Sequence, residues 1–145
     1  MTDNYLPCVG KKITRLSFDV DDVIKIYFND DNLYMILQAY ADCCSESWFQ
    51  LKWINNNNND NDNDNDNDIC GKIFKSIEYV EDIDLPKSGM QERDANHLYR
   101  IFFDDDTHFD FILRNSSNGY YDGWIGISLI EYKNIIETSI YPHSK

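Results

Sequence analysis

A chain of 145 residues with 26 acidic against 13 basic side chains, a formal net charge of −13, lacks the clustered lysine and arginine that binding a phosphate backbone requires. No stretch approaches the ~18 uninterrupted apolar residues of a membrane-spanning helix. The opening Met-Thr-Asp-Asn-Tyr lacks the basic start and apolar run of a secretion signal, so the expected setting is the cytoplasm, without a membrane partner.

Ten Tyr, eight Phe and three Trp favour strands over long helices. Ile13, Leu16 and Phe18 supply a first strand. From Val23 to Phe28 the pattern alternates, with Ile24, Ile26 and Phe28 on one face and Val23, Lys25 and Tyr27 on the other. Asn29 to Asn32 then form a turn, and Leu33 to Tyr40 return as a buried strand. After Ser45 the period changes. Trp48 and Leu51 stand three apart, which predicts a short helix within Glu46 to Ile54, capped by Ser45 or Ser47.

The tract from Asn55 to Asp68 takes 14 of the 145 residues, nine Asn and five Asp, and leaves 131 for a core. It cannot offset its ordering entropy by burial and is expected to be disordered. It also holds five of the negative charges, so about −8 remains on the rest. A calcium loop starting at Asp60 fails, because Asn65 and Gly71 stand where Gly and Glu are needed.

Beyond the tract, Leu98 to Phe103, a turn at Asp104 to Thr107, and His108 to Arg114 form a second hairpin, with Phe109, Phe111 and Leu113 sharing a face. Gly119 to Glu131 reads as a further strand, and Tyr132 to Tyr141 as a strand or a short helix. Gly10-Lys11-Lys12-Ile13 corresponds to Gly71-Lys72-Ile73, and each half ends a hairpin in a Ser-rich loop leading to Trp48 or Trp124. The expected fold is therefore α+β and β-dominated: one domain over 1–145, an antiparallel sheet or partly open barrel. It would be built from two similar hairpin units, 10–54 and 71–131, with a short helix after the first and the Asn/Asp tract between them.

Little in the sequence points to catalysis. Cys8, Cys43, Cys44 and Cys70 lack paired C-x₂-C spacing, and adjacent Cys43 and Cys44 are poorly placed to share one tetrahedral ion. Flanking carboxylates at Asp42 and Glu46 raise a thiol's pKa, so packing is the expected role of this pair. His97, His108 and His143 show no metal-pair spacing, and six glycines form no phosphate loop. Asp104, Asp106 and His108 are the residues from which a metal-dependent hydrolase would be assembled, though a solvated hairpin tip is the simpler reading. No catalytic residue, metal or cofactor is expected.

The two loops instead suggest a contact surface for a protein partner: Asp42, Ser45, Glu46 and Trp48 in the first, and Arg114, Asn115, Ser116, Asn118, Tyr120, Tyr121 and Trp124 in the second. An alternative is acidic mimicry of nucleic acid directed at a DNA-binding protein. Ala41 to Trp48, reading A-D-C-C-S-E-S-W, and Arg114 to Trp124, reading R-N-S-S-N-G-Y-Y-D-G-W, resemble the DUF7448 family of small domains from bacteria, phages and large DNA viruses. Gly71-Lys72-Ile73 and Ile83-Asp84-Leu85-Pro86 are similar to that family's middle section. The resemblance covers most of the chain outside the tract and supports the domain bounds, without implying a chemistry. With the A/T-rich codons of the tract, it implies a large DNA virus of an amoebal host as the source.

Overall fold

The computed structural model describes residues 5–54, 60–62, 69–118 and 122–143. A single 3₁₀ turn, Leu6–Cys8, precedes eleven strands: β1 Ile13–Val20, β2 Val23–Phe28, β3 Leu33–Ala41, β4 Glu46–Gln50, β5 Lys52–Ile54, β6 Asp60–Asp62, β7 Phe74–Asp82, β8 Arg93–Phe103, β9 His108–Ser117, β10 Gly123–Glu131 and β11 Asn134–Ile140. They form a five-stranded sheet in the order β1-β2-β3-β10-β11, a four-stranded sheet in the order β4-β9-β8-β7, and the small pair β5-β6. Neighbouring strands run antiparallel throughout.

The sheets bury one face each in a shared core. Ile24, Ile26, Met35, Leu37, Ile125 and Ile127 from the larger sheet meet Phe49, Tyr99, Ile101, Phe111 and Leu113 from the smaller. Each such side chain removed from water contributes roughly 1.5–3 kcal/mol. Alternation explains the selection: Ile24, Ile26 and Phe28 are buried, and Val23, Lys25 and Tyr27 between them are not fully so. The sheets do not close into a barrel. β1 and β11 are the edges of one, β4 and β7 of the other.

The short helix expected after Ser45 is replaced by strand β4, which pairs with β9 from Glu46↔Ser116 to Gln50↔Ile112. The outer edge of β9 offers that segment a hydrogen-bonding partner, and Phe49 and Leu51 alternate inward. This period-2 pattern overrides the three-residue spacing of Trp48 and Leu51. Tyr132 to Tyr141 resolves as mostly strand β11. Within the Asn/Asp tract, Asp60–Asp62 pairs with Lys52–Ile54; the expectation of disorder otherwise concerns residues outside the description.

The chain trades strands between its halves. β1-β2-β3 make a meander in the larger sheet and β4 crosses to the smaller; β7-β8-β9 make a meander in the smaller sheet and β10 crosses to the larger. The starts of the two halves bind each other reciprocally. Gly10 N donates to Phe74 O (3.0 Å) as Gly71 N donates to Ile13 O (2.8 Å), and Ile13 N donates to Lys72 O (2.8 Å) as Phe74 N donates to Lys11 O (3.0 Å). Both glycines take left-handed backbone, with φ of 84° and 88°, a conformation a side chain would strain.

The outer faces differ. Segment 83–92 straps that of the smaller sheet, with Ile83 and Leu85 packed beside Val80, Leu98 and Ile112. On the larger sheet and its turns, Val20, Tyr40, Tyr132 and Ile135 are exposed, as is Tyr141 just beyond β11.

Candidate functional site

The Ser-rich loops meet at one end of the two packed sheets. Asp42 N donates to Asp122 O (3.0 Å), and Asp122 N donates back to Asp42 Oδ2 (3.3 Å). Within the first loop Ser45 Oγ donates to Asp42 O (2.8 Å), and Cys44 adopts φ of 69°. The exposed Cys43 and Cys44 sulfurs lie 3.2 Å apart, and this contact raises the Cys43 thiol's pKa, the opposite of activation.

The residues expected to form a contact surface divide among three places. Trp48 and Arg114 face outward from the smaller sheet. Arg114 is nonetheless only 3% exposed. Its guanidinium donates to Gln50 Oε1 (2.9 Å), Pro86 O (2.8 Å) and Asp94 Oδ2 (2.9 Å), and its carbon lies 5.7 Å from the Trp48 ring centre. Ser116, also buried, accepts from Gln91 N (3.0 Å) under the strap. Asn115 sits at the end between the sheets, donating to Ser45 Oγ (3.3 Å) and Ser47 Oγ (3.0 Å). Asp42, Glu46 and Asn118 are exposed. Tyr120 and Tyr121 lie outside the described residues.

Trp124 faces outward from the larger sheet, opposite Trp48. It stacks between Tyr40 (centroids 5.8 Å, planes 22° apart) and Tyr141 (5.8 Å, 24°), a three-ring row crossing β3, β10 and the end of β11. Register makes the row: Trp124 lies directly opposite Tyr40. Gly126 makes room for it, because a Cβ there would stand 2.3 Å from Tyr40 Cε2.

Beside this row lies a polar cluster. His97 on β8 shares the inward face with Tyr99 and Ile101 and is 1% exposed. Its Nδ1 meets Asp82 Oδ1 (2.6 Å) at the end of β7, and its Nε2 meets Asp122 Oδ1 (2.8 Å) ahead of β10. The second oxygen of Asp82 meets His143 Nε2 (2.6 Å), beyond β11, and Tyr79 donates its hydroxyl to Asp82 Oδ1 (2.9 Å). Burial disfavours a charged His97 ring, but the bonds to Asp122 and Asp82 outweigh it and raise its pKa. Burial likewise pushes Asp82 up, and the bonds from His97 and His143 outweigh it, leaving its carboxyl below the usual range. Burial first, then Asp82, pushes the Tyr79 phenol up to about 12.

Among the described residues, Asp82, His97 and His143 are the group whose ligand atoms converge, all within 4.8 Å of one another. The hairpin-tip residues do not join such a group. Asp105 bonds Lys72 Nζ (2.6 Å) and the Thr107 hydroxyl, and His108 turns its Nδ1 to Asp110 (2.9 Å). Sequence reasoning passed over the cluster because its members are scattered from position 82 to 143. Its one signal was a histidine standing at an inward position of an otherwise apolar alternation.

No family model matches the chain, and no solved structure matches it. Uncharacterized protein L278 of Acanthamoeba polyphaga mimivirus is 49% identical over 106 residues, which cover 73% of this chain and 77% of that protein. At that identity and coverage, the chain belongs to the same family as the mimivirus protein.

Proposed function

We propose that the domain is a non-catalytic interaction module whose contact surface is the outer face of the five-stranded sheet, centred on Tyr40, Trp124 and Tyr141, and that it works in the host cytoplasm of a large DNA virus. The observation that carries this reading is the contrast between the two outer faces. One is covered by the chain's own segment 83–92, while the other presents the stacked aromatic row in the open. Contiguous exposed aromatic and apolar side chains are a frequent mark of a protein contact surface. The partner that fits is a protein bringing apolar groups to the rings. The 49% identical mimivirus protein supports the viral setting. The reciprocal bonding of the two halves supports an origin of 10–54 and 71–131 by internal duplication, and the paired loop motifs remain the basis for the DUF7448 resemblance.

The test is affinity capture from infected host cells with the full chain, with Trp124→Ala, and with residues 55–68 deleted. The reading expects a discrete protein retained by the full chain and lost at least roughly tenfold by Trp124→Ala, which keeps its β-sheet circular dichroism. Equal capture by the folded Trp124→Ala chain removes the aromatic row from the reading.

A further inference from the structure

We propose that Asp82, His97 and His143 form a binding site for a divalent transition-metal ion of the zinc class, with Asp122 fixing the orientation of His97. Two imidazole nitrogens and one carboxylate are a donor set suited to zinc, and they leave at least one coordination position for water or a further ligand. Here they come from three separate parts of the fold and converge within 4.8 Å.

Two features of the geometry suit a metal site. His97 has a carboxylate at each ring nitrogen, Asp82 at Nδ1 and Asp122 at Nε2. With Nδ1 turned to a metal, the Nε2–H bond to Asp122 is the outer-shell contact that ligating histidines characteristically make, fixing tautomer and ring angle. The second imidazole, His143, reaches the same carboxylate from beyond the last strand. Its approach is set by φ of 66° and by the Tyr141 stack on Trp124 two residues earlier. The His97 and His143 rings stand perpendicular, 5.6 Å apart, so that they do not obstruct one another.

The adjustment that a metal requires is small. Ligand bonds of about 2.0–2.1 Å in a tetrahedron put donor atoms roughly 3.3 Å apart. Each histidine nitrogen is now 2.6 Å from an Asp82 oxygen. Buried His97 holds still between its neighbours, whereas Asp82 and His143 are 47% and 60% exposed at the side chain and are free to open by that margin. The same exposure directs the open coordination position toward solvent. Its ligands are residues other than the aromatic row, and each proposal can fail without the other.

The experiment is competition of Zn²⁺ between a chromophoric chelator and the full, tag-free chain carrying Cys43→Ser and Cys44→Ser, which removes the exposed thiol pair as a rival site. Co²⁺ serves as the spectroscopic probe. One tightly held equivalent is expected, with the intense visible absorption of low-coordinate cobalt. His143→Ala and Asp82→Asn should each weaken it by at least roughly tenfold. His143 is exposed at the side chain, so its removal leaves the metal-free domain folded, and the metal-free melting curve checks this. Absence of a tight equivalent overturns the proposal, as does one whose affinity is unchanged in the folded His143→Ala chain.

Discussion

Asp94 offers the sharpest test of what holds the strap against the smaller sheet. Its Oδ2 accepts from Ser88 N (2.6 Å), Gly89 N (3.0 Å) and Arg114 Nη2 (2.9 Å), and the paired side chains are 3% and 4% exposed. Asp94→Ala strips Arg114 of its counter-charge where water cannot replace it. Removing one partner of a buried pair costs about 3–5 kcal/mol, against at most about 1 kcal/mol for an exposed pair. At roughly 3 °C per kcal/mol for a domain of this size, the midpoint of thermal unfolding should fall by roughly 10–15 °C. Urea unfolding followed by circular dichroism measures the free energy directly. The double variant Asp94→Leu with Arg114→Met replaces the pair by apolar groups and should cost less than the sum of the singles. A loss below about 1 kcal/mol for Asp94→Ala, or strict additivity in the double variant, refutes the reasoning. The pair also predicts an acid limb. Burial pushes the Asp94 carboxyl up, but the Ser88 and Gly89 amides and the Arg114 charge outweigh it and hold it below its ordinary value. The contribution is therefore whole above the unfolded value of about 3.9 and is lost as pH falls through the depressed folded one. The difference between wild type and Asp94→Asn should shrink over that acidic range.

Gly126→Ala places a methyl group where the Tyr40 ring now lies, 2.3 Å from Cε2. The half-exposed ring can swing aside, so the expected cost is about 1 kcal/mol, with a shift in Trp124 fluorescence as the stack opens. Gly71→Ala forces a side chain into left-handed backbone at φ of 88° and should cost about 1–2 kcal/mol in urea unfolding. Gly10→Ala, in the reciprocal position at φ of 84°, should cost about the same.

Alternation made much of the β framework legible. The runs at 23–28 and 108–114 declare their inward faces by alternation, although the second is buried on both sides, by the core on one and by the strap on the other. Glu46 to Gln50 did not, because whether five residues of mixed pattern become strand depends on the edge of β9, which lies more than sixty positions away. Arg114 carries the same lesson. An arginine before Asn-Ser-Ser reads as a loop residue meeting solvent, yet strand β9 continues through Ser117 and the strap covers it. The aromatic row was half legible: Trp124 stood out, but Tyr40 and Tyr141 join it only through the pairing of β3, β10 and β11. The Asp82–His97–Asp122–His143 cluster was less legible still, since its order in space follows the sheet and not the chain.

The traded strands bear on how this chain reaches its fold. β4 has no partner until β9 exists, and β10 completes a sheet whose other central strands lie some ninety or more residues earlier. Neither half can therefore complete a sheet alone: the inner edge of the N-terminal meander is sealed only by β10, and β4 is paired only by β9. Such long-separation pairing slows folding. It also means that the larger sheet gains its inner strand only when β10 pairs with β3.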